Sequence, residues 1–184
     1  MKTINVKEIM IPIDEYATVD EETTLYEVVT ALEKAQKQQA ADRYKHRAVL
    51  VYGKSRDIVG KISQLDLIMG LERGYTQVED LKRVSYSGYT RSFLKSLAQK
   101  HNLWSEPLKD ICRKGATLKA KDIMYKPVEG EYVDADATLD EAIHQLVMGR
   151  HQSLLVTEKG KIAGILRLTD VFDQICEAMK TCAI

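Results

Sequence analysis

At 184 residues the chain has room for one domain of ordinary size or two small ones. Its 27 Lys and Arg balance 27 Asp and Glu, which argues against nucleic-acid binding, a function that leaves a basic footprint. Apolar residues make up 45% of the chain, enough for a core, yet no apolar run approaches the roughly 20 residues of a membrane span.

Charged residues in M-K-T-I-N-V-K-E-I stand where a signal peptide needs its apolar stretch. Cys112, Cys176 and Cys182 show no metal-ligand spacing, so the expected compartment is the reducing cytoplasm. Residues 5–13 form an extended lead-in stopped by Pro12, and residues 16–20 a short strand. Thr24-Leu25-Tyr26-Glu27 is a capping box, followed at helical spacing by Val28, Val29 and Leu32. Polar residues from Gln36 to Tyr44 prolong that helix. Arg47–Tyr52 reads as a buried strand, Ile58–Ile62 as a second, and Ser63 and Asp66 open a helix carrying Leu65, Leu67, Ile68 and Leu71.

The same order then recurs. Lys121-Asp122-Ile123-Met124 repeats Lys7-Glu8-Ile9-Met10 at an offset of 114, and Thr138–Glu141 repeats the capping box at that offset. His151–Val156 repeats His46–Val51 at an offset of 105. Nine extra polar residues in the first copy's helix account for the change. Gly60–Asp66 and Gly164–Asp170 share the spacing G-x-x-x-x-x-D. The chain is a duplication of a β-α-β-β-α unit.

Between the copies, residues 71–118 hold nine Lys/Arg against five Asp/Glu. Thr76–Glu79 offers a helix cap, Phe93, Leu94, Leu97 and Ala98 an amphipathic helix broken by Pro107, and Leu108–Cys112 one more turn. This mildly basic insert is too apolar for a disordered linker. Its Tyr86, Tyr89, Phe93 and Trp104 read either as a small satellite core or as a cover for a cleft or partner. The expected division is residues 1–71, repeat one; 72–118, insert; and 119–184, repeat two.

Tandem units that open with K-[DE]-I-M, continue with a T-L-x-E helix and end in strand–strand–G-x-x-x-x-x-D–helix resemble cystathionine-β-synthase-type (CBS) domains, two of which pack as a Bateman module. The resemblance implies an α/β (α+β) fold: two β-α-β-β-α repeats about a pseudo-twofold axis, with the helical insert between them. It also implies an adenosine-containing effector (AMP, ADP, ATP or S-adenosylmethionine), regulation of a partner protein, and no catalysis.

A carboxylate in the first turn of a helix can accept hydrogen bonds from both ribose hydroxyls, beside free N–H groups that favour a phosphate. Ser63 and Asp66 in the first copy, and Thr169 and Asp170 in the second, fit that role. Taken alone, Ser63-x-x-Asp66 is equally a capping box that binds nothing; the duplication and the resemblance turn the reading toward a ligand. Lys45-His46-Arg47 and Arg150-His151-Gln152 precede the inner strands. In nucleotide-sensing relatives, basic or histidine residues there reach phosphates, and the same residues also suit a helix C-terminus.

Adenine is expected near Tyr16, Ala17 and Val49 in one copy, and near Glu131, Tyr132 and Leu154 in the other. Val49 and Leu154 stand where the family often has Pro. Arg167 replaces Ser63, which either favours a longer polyphosphate or fills the pocket.

Three functions compete: a nucleotide sensor, a dimerisation scaffold with vestigial clefts, and an enzyme. Against the last, the sequence has no metal cluster, nucleophile–base spacing or Walker loop. A homodimer is expected, with Val171, Phe172, Ile175 and Met179 as one candidate face.

Overall fold

The computed structural model describes residues 4–38, 46–72, 75, 90–103 and 110–181. A lead-in carries β1 (Ile11–Pro12) and leads to β2 (Thr18–Asp20), α1 (Leu25–Gln38), β3 (Ala48–Tyr52), β4 (Ile58–Ser63) and α2 (Gln64–Leu71). The insert supplies α3 (Arg91–Lys100) and α4 (Ile111–Thr117). Then follow α5 (Ala120–Ile123), β5 (Tyr132–Asp134), α6 (Leu139–Gly149), β6 (Ser153–Glu158), β7 (Lys161–Arg167) and α7 (Leu168–Thr181). The Thr76 cap, Tyr86, Tyr89, Trp104 and Pro107 lie outside the described residues.

Both T-L-x-E boxes cap their helices. Thr24 N–H donates to Glu27 Oε2 at 2.9 Å, and Thr138 N–H to Glu141 Oε2 at 2.8 Å. In each repeat the inner strand lies between a parallel and an antiparallel neighbour: β2-β3-β4 in one sheet and β7-β6-β5 in the other. Both faces of these strands are covered, so they read as unbroken apolar runs. Val49 and Val51 point to the helices of repeat one, Leu154 and Val156 to those of repeat two, while Leu50 and Leu155 meet Tyr16 and Ile165 between the sheets. Each such side chain, fully buried, contributes roughly 1.5–3 kcal/mol.

The repeats exchange their lead-ins. Val6 and Lys7 N–H donate to Ala137 and Ala135 of repeat two; Ala120 and Lys121 N–H donate to Thr23 and Glu21 of repeat one. The partners differ by the offset of 114 in every case. Likewise β1 adds to β7, pairing Ile11 with Ile165, and Tyr125 bridges Lys61. This reciprocity is the pseudo-twofold axis in backbone terms. It also explains the motif glycines: a Cβ on Gly164 would lie 2.4 Å from Ile11 O, and one on Gly60 3.0 Å from Tyr125 O. The motif's glycine admits the crossing lead-in, and its aspartate bonds back to the residue three positions earlier.

In the insert, α3 starts at a Thr90 cap and buries Leu97, while Phe93 is partly exposed. Helix α4 lies on α1 with Gly115 against Tyr26, and Lys114 Nζ donates to Leu71 O at 2.6 Å, satisfying a carbonyl at the end of α2. Among the described residues no helix is long and apolar enough to cross a membrane.

Candidate functional site

Strand β4 runs directly into α2, so Ser63 ends one and caps the other. Its N–H and hydroxyl donate to Asp66 Oδ2 at 2.8 and 2.6 Å, and Asp66 N–H returns a bond to Ser63 Oγ at 3.2 Å. The pair is a true capping box. Only one carboxylate oxygen is used, however: Asp66 Oδ1 makes no hydrogen bond among the described residues. The second copy differs. Arg167 stands at the Ser63 position, its Nε donating to Asp170 Oδ2 at 2.7 Å and its Nη2 to Asp170 Oδ1 at 2.5 Å. Both oxygens of Asp170 are taken by a guanidinium 11% exposed.

A cleft of about 320 Å³ opens between the repeats. Of the residues expected at a ligand site, the first repeat contributes Tyr16, Arg47, Ser63 and Asp66, and the second Glu131, Arg150, His151, Gln152, Arg167 and Thr169. The two motifs therefore meet in one cavity.

Several expected residues do not line it. Val49 and Leu154 are fully buried because strand alternation turns them into the helix-side cores, not toward a ligand. Ala17 packs on the core of repeat one. Tyr132 joins the cluster between the sheets, its carbonyl held by Gln145. His46 is 3% exposed and stacks edge-on against Tyr16, ring centroids 4.3 Å apart. Burial, with the Arg167 charge added, pushes its pKa down to about 4. Asp170 is not among the lining residues and is paired with Arg167, which is. Lys45 lies outside the described residues.

Other lining residues were not expected from the sequence, above all Lys61 and Tyr125. They converge on Glu131, a carboxylate 3% exposed: Lys61 Nζ and Tyr125 Oη each donate to it at 2.5 Å. Burial resists ionisation of Glu131, but these two bonds outweigh it and hold its carboxyl below the ordinary range. The bond to Glu131 in turn raises the Tyr125 phenol to about 12. Lys61 comes from repeat one and Glu131 from repeat two, so a near-buried ion pair ties the halves inside the cleft. The pseudo-equivalents of Lys61 and Tyr125 are Ile165 and Ile11, both apolar, so the polar patch exists on one side of the axis only. The sequence points to Glu131 but not to its partners, because Lys61 lies on a distant strand that only the exchange brings to Tyr125 and Glu131.

The CBS domain family matches residues 6–73 and 120–177, and the chain belongs to that family. Solved CBS-pair structures share the fold. The hypothetical conserved protein of Geobacillus kaustophilus is 18% identical over 96% of this chain and 98% of its own, with a TM-score of 0.60. The CBS domain of a membrane protein from Sphaerobacter thermophilus is 18% identical over 94% and 88%, TM-score 0.58. CBSX2, a CBS-pair protein of Arabidopsis thaliana, has been solved in complex with AMP; it is 18% identical over 95% and 98%, TM-score 0.58. No curated protein sequence matches the chain.

Proposed function

We propose that the protein is a non-catalytic regulatory CBS pair that binds one adenine nucleotide in the cleft between its repeats and signals to a partner protein. The observation that carries this reading is the asymmetry of the two aspartates. Asp66 offers a free Oδ1 to a ribose in a cleft that also holds Arg150 and His151 of the other repeat, whereas Asp170 is occupied by Arg167. The AMP complex of CBSX2 supports the choice of ligand class. In this reading residues 1–71 and 119–184 bind, and a cytoplasmic partner reads the result. Exposed Tyr26, Val29 and Ile68 on one repeat, and Val147, Met148, Phe172 and Met179 on the other, support a homodimer through helix faces. Of the stripe expected on α7, Val171 is core and Ile175 packs against it, leaving Phe172 and Met179 outward.

Calorimetric titration with AMP, ADP and ATP tests the reading. The parent binds one equivalent; Asp66→Asn, which keeps a capping acceptor, loses about tenfold or more in affinity. Arg167→Ser frees Asp170 beside the same cavity, so the stoichiometry stays at one. An Asp66→Asn variant that binds like the parent, or a parent that takes up two equivalents, defeats the assignment.

A further inference from the structure

Helix α6 ends in a complete Schellman motif. His151 N–H donates to Leu146 O at 3.0 Å and Arg150 N–H to Val147 O at 3.3 Å. The residue in the left-handed position is Arg150, at φ 50° and ψ 39°. Glycine usually fills that position, because a Cβ there crowds the following carbonyl. A glycine is present one residue too early, at Gly149, where φ lies outside the left-handed range and nothing in the backbone requires it. For ending a helix, Arg-Gly would serve better than Gly-Arg.

The side chains explain the inversion. A Cβ on Gly149 would lie 1.9 Å from His151 Nε2 and 2.2 Å from its Cδ2, so the imidazole rests against the bare glycine. Arg150 and His151 both line the cleft with Asp66. By the offset of 105, Gly149 corresponds to Tyr44 in the first copy. There the matched His46 is buried against Tyr16 and is not among the residues that line this cleft. Of the two matched histidines, the one that follows a glycine is the one in the cavity.

We propose that Gly149 is a positioning residue for nucleotide binding. Its missing side chain seats the His151 ring in the cleft, where a ring nitrogen can bond a ligand phosphate, and the left-handed backbone at Arg150 is the strain that delivers both side chains there. This rests on the reading of the cleft as an adenine-nucleotide site.

The test is a cycle of Gly149→Ala, His151→Ala and the double variant, each titrated with AMP and ADP and melted without ligand. Alanine is the better helix former, so Gly149→Ala should melt at or above the parent temperature while its affinity falls about tenfold. Because glycine acts through the histidine, the double variant should bind like His151→Ala alone. If Gly149→Ala binds as the parent does, or the two losses add, the proposal fails while the nucleotide site stands. A lowered melting temperature would make Gly149 a packing residue and would also overturn it. A parent that binds neither nucleotide overturns the site and this proposal together.

Discussion

His46 lies against the edge of Tyr16 with its pKa pushed down to about 4, burial being the larger cause. An unfolded chain restores the ordinary value near 6.5, so between pH 6.5 and 4 the unfolded state binds more protons than the folded one. The stability held by neutral His46 is therefore complete above pH 6.5 and is lost as the pH falls toward 4, by about 3 kcal/mol at most. His46→Gln, which cannot titrate, should flatten that fall. Urea midpoints at pH 7, 5.5 and 4 for both proteins measure it, and parallel curves would show that His46 is not the titrating group. Glu22 acts in a lower window. Hydrogen bonds from Lys119 and Lys121 hold its carboxyl near 2, so that contribution is present above pH 4.5 and fades below it.

At the scale of elements, the exchanged lead-ins set what can be changed. Gly164 faces Ile11 O of β1, and a Cβ there would come within 2.4 Å of a backbone atom that has no rotamer to yield. Gly164→Ala should push β1 off β7 and cost about 1–3 kcal/mol, although alanine suits a strand better than glycine in isolation. A urea midpoint equal to the parent's would mean that β1 moves freely. The same exchange marks the limit of what was legible in the sequence. The duplication, both capping boxes, the strand–turn–helix units and the pairing of Ser63 with Asp66 could be read, because each is encoded within a few neighbouring residues. Val49 and Leu154 were misplaced because an apolar run alone does not say which face of a strand meets the helices and which the second sheet. His46 and His151 looked equivalent at matched positions; only packing against Tyr16 and Gly149 separates them. Glu131 was placed at the ligand site, but its partners Lys61 and Tyr125 stayed hidden because strand exchange, not spacing, joins Lys61 to the other two.

For the whole molecule, that trio sets stability against binding. Lys61 and Glu131 close the two repeats on one another from inside the cavity where a phosphate would sit. Glu131→Gln removes a negative charge from the cleft and leaves the Lys61 ammonium, 15% exposed, without its ionised partner. An uncompensated, largely buried charge is costly, so the unfolding free energy without ligand should fall by about 1–3 kcal/mol. The same change frees Lys61 to meet an anion and removes a repulsion, so ADP and ATP should bind several-fold more tightly. Restoring packing without charge, as in Lys61→Met with Glu131→Gln, should recover part of the stability but lose the gain in affinity. Denaturation and calorimetry on these three proteins give both quantities. If affinity falls together with stability in Glu131→Gln, the ion pair is a structural clasp that the ligand depends on. If the two move in opposite directions, the clasp competes with the ligand for Lys61, and nucleotide binding loosens the contact between repeats, a differential effect of the kind a regulatory module needs in order to report its ligand.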